Sequence, residues 1–272
     1  MCSNYEPITD NARLLAAFGV TLPAGADPAP YSSAGVMAPF IVRAEPKTPN
    51  ALGDVEFGVL GLLPNFATSV EFTAHTYNCR AETMKSKPAF RGSWWAGQRC
   101  VIPVRVVNEW CYETNPAEMY AVGLADGEPM GLAGLWNEWT SPQGQKLMSF
   151  CMLTINADGH AVFQRMNSPE HEKRMPVILP TSKQELWLYG SMKDAERLLV
   201  RFPAEDLQAV PIERSARPVK EPPGWAEMDD MFEAEWRVTA AELPRKKSAK
   251  VRPVMPPKPP ELPGPTTGDL FG

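Results

Sequence analysis

The sequence predicts a loop-rich, mixed β fold with a few short helices and an unfolded end, and it argues against a helical bundle. Three observations carry this. Proline is the compositional outlier, at 29 of 272 residues, and proline breaks helices while suiting turns and strand ends. The strongest apolar runs are short and rich in β-branched residues. The last stretch of the chain changes character altogether. The apolar share is 44%, ordinary for a globular protein, and the length suits one large domain or two small ones.

In chain order, residues 1–20 hold a short helix that Asp10 or Asn11 can cap, with Leu14, Leu15 and Phe18 at helical spacing. Residues 21–50, rich in Pro, Ala and Gly, read as loop. Residues 55–66 read as a buried strand that breaks at Pro64. His75 stands in what reads as a strand leading to Asn78. Adjacent Trp94 and Trp95 suit one buried and one exposed ring. Residues 99–110 form the next strand, and 119–124 is expected to pair with 130–136 as a hairpin across Asp126-Gly127, a strong turn signal. Residues 147–155 form another buried strand and 177–179 a short one before Pro180. Residues 182–199 carry one helix.

The composition shifts near Leu243. Residues 244–272 contain eight prolines and six basic residues with few apolar ones, so they cannot bury enough to fold. The expected division is a folded domain over 1–243 and a disordered or polyproline-like tail over 244–272. A solvated tail and a basic arm on phosphates are both open readings of that composition.

The net charge of −5 argues against a protein that coats nucleic acid by bulk electrostatics, while leaving a local basic cleft open. No run of about 18 apolar residues occurs, so no membrane span is expected. No basic segment followed by an apolar one opens the chain, so no secretory signal is read. Cys2, Cys79, Cys100, Cys111 and Cys151 are odd in number and lack CxxC or Cys/His spacing. They suit free thiols in a reducing cytoplasm, with no disulfide framework and no metal site. No Gly-rich loop signals a nucleotide cofactor.

Cys2 follows Met1 directly. Removal of the initiator methionine would give one residue a thiol and a free amine on adjacent carbons. The amine condenses with an aldehyde to an imine, and the thiol closes on it as a five-membered thiazolidine. Both groups titrate near neutrality, at about 8.5 and about 7.7–8.0. By itself the residue reads first as a small apolar side chain at a frayed terminus.

Several separate segments then match one family in order. Met1-Cys2-Ser3-Asn4-Tyr5 resembles a Met-Cys-Gly-Arg-aromatic start. Leu60-Gly61-Leu62-Leu63-Pro64 resembles a Trp-Gly-Leu-Ile-Pro element, and Asn78-Cys79-Arg80-Ala81-Glu82-Thr83 an Asn-Ala-Arg-x-Glu-Thr motif. Phe90-Arg91, Arg99-Cys100-Val101-Ile102-Pro103 and Glu109-Trp110 follow at the same family's spacing. Ala133-Gly134-Leu135-Trp136 with Trp139, Leu153-Thr154, and Arg174-Met175-Pro176-Val177-Ile178-Leu179 complete the series. Over residues 1 to about 215 the chain resembles the SOS-response-associated peptidases.

That resemblance implies an α+β fold built round an antiparallel, barrel-like sheet with a few flanking helices, acting as a monomer. It implies binding of single-stranded DNA at abasic sites and a covalent cross-link to the open-chain aldehyde through Cys2. Carried over position by position, Cys2 is the nucleophile, Asn78 orients it, and Glu109 relays protons. Arg80 and Arg174 meet the DNA backbone, with Thr154 as a further phosphate contact. His171 is the candidate acid for opening the sugar. The family commonly has its histidine two positions before the Arg-Met-Pro arginine, where this chain has Glu172. In longer members the histidine position corresponds to Asn167. Asn4 replaces an arginine, and Leu60 and Phe66 replace tryptophans that offer stacking faces. Two rival readings stand beside it: a cysteine-dependent peptidase that uses the same residues on its own leader or on other proteins, and a phage-type paralogue that binds DNA or a repair partner through its tail with weakened chemistry. The end Gly268-Asp269-Leu270-Phe271-Gly272 resembles the short peptides by which bacterial DNA-repair proteins dock on the sliding clamp.

Overall fold

The computed structural model describes residues 4–113 and 115–212. Cys2, the domain boundary at 243/244, the tail 244–272 and its sliding-clamp-like end therefore lie outside the described residues. The elements run β1 Asn4–Pro7, α1 Asn11–Phe18, β2 Ser32–Ser33, β3 Met37–Val42, β4 Asp54–Leu60, β5 Asn78–Arg80, α2 Pro88–Trp95, β6 Arg99–Cys111, β7 Glu118–Leu124, β8 Met130–Thr140, β9 Lys146–Asn156, β10 Arg174–Pro176, β11 Ile178–Leu179, α3 Thr181–Tyr189, α4 Met192–Arg197 and β12 Leu207–Pro211.

Five of these strands close on themselves. β6 pairs with β8, β8 with β9, β9 with β4, β4 with β3, and β3 returns to β6. Every contact in the ring is antiparallel except β4–β9, where Val59 and Leu60 lie parallel to Ser149 and Phe150. Closure removes the exposed edges that an open sheet of this composition would present. The register puts buried Phe40, Leu60, Ile102, Leu132 and Phe150 on one face, where the Phe40 and Phe150 rings meet tilted at 4.8 Å, while Val101, Leu135 and Leu153 are buried on the opposite face. The expected α+β barrel-like fold is thus the observed one.

β6 is the longest strand, and its length explains the layout. Its first half belongs to the ring. Its second half runs on past the ring and takes β1 along one edge (Asn4 opposite Asn108, Tyr5 opposite Val107) and β7 along the other (Val107 opposite Val122, Glu109 opposite Tyr120). The expected hairpin of 119–124 with 130–136 does not form. β7 and β8 both run antiparallel to β6, one after the other, with Val104 opposite Met130 where β8 begins. The Asp126-Gly127 turn exists, with Gly127 at φ 77°. It loops the chain out and returns it to the same edge of β6, and β7 takes β12 as its other neighbour.

Three other expectations need correction. Residues 21–50 are not all loop, because β3, with the sequence MAPFIV, is a wall of the barrel. Residues 182–199 form two helices. The chain is extended at Gly190, and Ser191 then caps α4 through a reciprocal pair with Asp194. His75 ends a 3₁₀ turn over Val70–His75 and is not in a strand. The α1 reading stands: Asp10 accepts from the Ala12 N–H at 2.7 Å, left-handed Gly19 closes the helix, and Leu14 and Phe18 face the core. Trp94 is buried and Trp95 exposed. Arg99 fastens α3 to the barrel by donating to the carbonyls of Trp187 at 2.6 Å and Gly190 at 2.6 Å. Among the described residues no helix is long and apolar enough to cross a membrane.

Candidate functional site

The candidate residues fall into two groups, at the far end of β6 and at the far end of β9. On β6, Asn108 and Glu109 are buried in succession while Trp110 is 41% exposed. Successive residues of a strand point to opposite faces, so both faces are covered at this point, and β1 and β7 pair along its two edges. The Asn108 side-chain amide donates to the Asn4 side-chain oxygen at 2.7 Å. Asn4 therefore latches β1 to β6, a role that its reading as a missing arginine did not reveal. The register brings the N-terminal strand onto β6 one residue before Glu109.

β5 lies parallel to β9, with Asn78 opposite Met152 and Arg80 opposite Thr154. Alternation puts Asn78 and Arg80 on one face and sends Cys79 into the core, where it is fully buried. β10 runs antiparallel to the same stretch of β9, pairing Pro176 with Thr154 and Arg174 with Asn156. This double flanking creates an ion-pair network. Arg174 is 1% exposed. Its Nη1 donates to Glu82 Oε1 at 2.8 Å and Glu172 Oε1 at 2.9 Å, and its Nη2 to Glu82 Oε2 at 2.8 Å and the Thr154 carbonyl at 2.6 Å. All four terminal N–H groups of Arg174 are thereby committed. Thr154 is fully buried beneath it. Arg80 differs, because its side chain is 48% exposed and pairs with Glu172 at 2.6 Å.

The electrostatics follow from this geometry. Burial works against the charges of Glu82 and Arg174. Their mutual fork outweighs it, holding the Glu82 carboxyl below the usual carboxylate range and the Arg174 guanidinium above its own. The hydrogen bond from Arg174 also holds Glu172 low.

One loop ties the two groups together. After β9, Met166 bridges to Cys111, and the Asn167 N–H donates to the Trp110 carbonyl at 2.8 Å. Asn167 is left-handed, at φ 64°, which asparagine tolerates better than most residues. The Lys173 ammonium then donates to the carbonyls of Met166, Asn167 and Ser168 at 3.0, 2.9 and 3.3 Å. The chain thus runs from beside Glu109 directly into Glu172, Lys173 and Arg174. The base of the loop is pinned by His160. Its Nδ1 accepts from the Val162 and Phe163 N–H groups at 3.3 and 3.2 Å, which leaves Nε2 to donate to the Phe202 carbonyl at 2.9 Å. His171 is exposed on this loop, with its backbone N–H bound to the Ser168 carbonyl.

Phe66 is 56% exposed on a loop fixed from three sides. Asn137 donates to the Leu63 carbonyl, Trp139 to the Ala67 carbonyl, and the Leu63 N–H to Ser149 Oγ, all within 2.7–3.0 Å. Such a rigid, exposed ring offers a stacking face. The four described cysteines are buried and free. Burial pushes the thiols of Cys79 and Cys100 far up, so they are poor nucleophiles. Among the described residues no group of three or more His, Cys, Asp or Glu is placed to hold a metal ion.

Sequence reasoning missed Glu82, Glu172, Lys173 and Asn108 as working parts. Glu82 lay inside a recognised motif, which was the available signal. Asn108 and Glu172 act on partners far along the chain, and Lys173 on carbonyls of the loop just before it.

Comparison with known proteins fits this geometry. The family model described as SOS response associated peptidase matches residues 1–218. The chain is 28% identical over 164 residues to the abasic site processing protein YoqW of Bacillus subtilis, covering 59% of this chain and 68% of that protein. It is 25% identical over 183 residues to the abasic site processing protein HMCES of Rattus norvegicus, covering 56% of this chain and half of that one. A crystal structure of a protein from Bordetella bronchiseptica superposes with a TM-score of 0.71 at 30% identity, over 78% of this chain and all of that one. One from Bacteroides thetaiotaomicron shares the fold, at a TM-score of 0.67 and 23% identity over 79% of this chain and 93% of that one.

Proposed function

Since this chain belongs to the SOS response associated peptidase family, we propose that it captures abasic sites in single-stranded DNA by a covalent thiazolidine link through Cys2 once Met1 has been removed. One observation carries the reading onto this molecule: β1 enters the sheet against Asn108, so the chain two residues after Cys2 is anchored beside buried Glu109.

In the proposed reaction the Cys2 amine adds to the C1′ aldehyde of the open sugar. The carbinolamine loses water to an imine, and the thiol sulfur then adds to the imine carbon while its proton passes to nitrogen. The sum is aldehyde plus aminothiol giving thiazolidine plus water. Glu109 takes and returns the protons. Asn78 orients amine and sugar hydroxyl, since an amide both donates and accepts. His171, on the loop that leads to Arg174, supplies the acid that opens the sugar. Arg80 is the proposed phosphate contact, because it is exposed. Arg174 and Thr154 act beneath it by holding β5 and β10 on β9. The rival reading, cysteine-dependent peptidase action, draws on the family's own description and uses the same residues.

The test is intact mass before and after mixing with an abasic single-stranded oligonucleotide. Loss of Met1 and a DNA adduct that is absent in Cys2→Ala is the expected result. A retained Met1 with no adduct overturns the cross-linking reading, and cleavage of a peptide panel in its place favours the peptidase.

A further inference from the structure

We propose that the Glu172 carboxylate is a built-in stand-in for a DNA phosphate: it occupies Arg80 while the site is empty and yields to an entering strand, so it sets how tightly and how salt-sensitively DNA is held. This rests on the reading above, in which Arg80 meets the backbone.

The geometry separates a fixed contact from an exchangeable one. Glu172 divides its oxygens between two guanidinium groups, Oε1 to Arg174 Nη1 at 2.9 Å and Oε2 to Arg80 Nη1 at 2.6 Å. Arg174 does not depend on Glu172, because Glu82 takes it in a two-point fork and the Thr154 carbonyl takes a further N–H. For Arg80, Glu172 is the one ion-pair partner among the described residues. Both side chains of that pair reach solvent, at 48% and 35% exposed.

A carboxylate and a phosphate offer a guanidinium the same kind of paired oxygen acceptors. The four side chains Arg80, Arg174, Glu82 and Glu172 sum to zero charge. A phosphate that approached Arg80 with Glu172 still in place would meet a like charge at contact distance. Exchange of one anion for the other avoids that repulsion. Glu172 is a carboxylate at neutral pH, and the Arg174 hydrogen bond lowers its pKa further, so the stand-in is in place under ordinary conditions. An arginine already neutralised inside the protein releases little counterion from DNA when it binds. Removing the Glu172 charge restores that release, steepening the salt dependence by roughly 0.7 in the log–log slope for a single strand.

The experiment measures equilibrium binding of a labelled single-stranded oligonucleotide without an abasic site, across a salt series, to the full chain and to Glu172→Gln, Arg80→Ala and the double variant. Omitting the aldehyde keeps covalent chemistry out of the readout. Expected is about threefold tighter binding by Glu172→Gln, the size of one exposed ion pair, with the steeper slope. The double variant should bind no tighter than Arg80→Ala. Glu172→Ala is the second carboxylate-free variant, checked with the others for a native circular-dichroism melt, and should show the same gain. No gain in either variant, or a gain that survives without Arg80, overturns the stand-in. Weaker binding by Arg80→Ala in that case leaves the phosphate contact standing. An Arg80→Ala protein that binds like the parent removes the contact, and the stand-in with it.

Discussion

The two ends of the site are held by different forces. At the β6 end, Glu109 sits in a strand laddered on both sides, buried, with β1 latched beside it through Asn4 and Asn108. At the β9 end, Arg80 rests on a three-residue strand and is steadied by one solvent-exposed ion pair. The first arrangement fixes the backbone that carries a buried group, and the second leaves a side chain free to change partners. Proton transfer in bond-forming chemistry requires the first, and capture of a flexible polyanion is served by the second. Under the proposed function, the contrast would place chemistry at the β6 end and affinity at the β9 end.

The largest expected effect comes from the β6 end. Glu109→Gln keeps shape and removes the proton relay, so adduct formation with an abasic oligonucleotide should slow by about a hundredfold. Affinity for an intact single strand should stay within error of the parent. Equal losses in rate and affinity would break the division between the two ends. Single-turnover gel shifts for rate and fluorescence anisotropy for affinity make the check.

Next is a contrast within the β9 end. Arg174→Ala strands the Glu82 fork and the Thr154 carbonyl, and denaturant unfolding should show a loss of roughly 3 kcal/mol. Arg80→Ala removes an exposed pair and should cost under about 0.5 kcal/mol of stability, while weakening DNA binding. If Arg80→Ala proved the more destabilising, the exposed arginine would be structural and the assignment of affinity to it would fail.

How much of this was legible in the sequence depends on whether the information was local. The β6 strand, the α1 cap and the short Asn78–Arg80 segment were readable because neighbouring residues encode them. Alternation alone puts Asn78 and Arg80 on one side of Cys79. The β7–β8 hairpin was misread because Asp126-Gly127 is a good local turn, whereas the pairing is decided by a 13-residue β6 long enough to hold both strands end to end. β3 was hidden because proline and glycine around it outweighed its apolar core, MAPFIV, in a composition-based reading. Arg174 and Thr154 were expected at phosphates. What the sequence could not express is that Glu82, 92 residues away from Arg174, closes a fork on it. That contact exists because β5 and β10 flank the same residues of β9. The position that reads as a substituted histidine, Glu172, acquires its partners in the same way.

The smallest expected effect is on pH dependence, and it tests whether the β9 end is held by charge at all. The folded-state pKa values of Glu82 and Glu172 lie below their ordinary range, chiefly because both accept from Arg174 against the burial that opposes Glu82. A carboxyl depressed by folding adds stability that is fully present above its unfolded pKa, about 4.3. That stability is lost as pH falls through the lower folded value. Both carboxylates are partly exposed, so each should contribute under about 1 kcal/mol. The parent should therefore be more stable than Glu82→Gln at neutral pH, with the gap narrowing from about pH 5 downward as the parent's advantage titrates away. Paired urea unfolding curves at stepped pH measure that gap. A gap that is constant with pH would mean Glu82 works by shape and hydrogen bonding alone. The fixed contact at Arg174 would then not be held by charge, whereas the exchangeable Arg80–Glu172 pair is tested separately by the salt series.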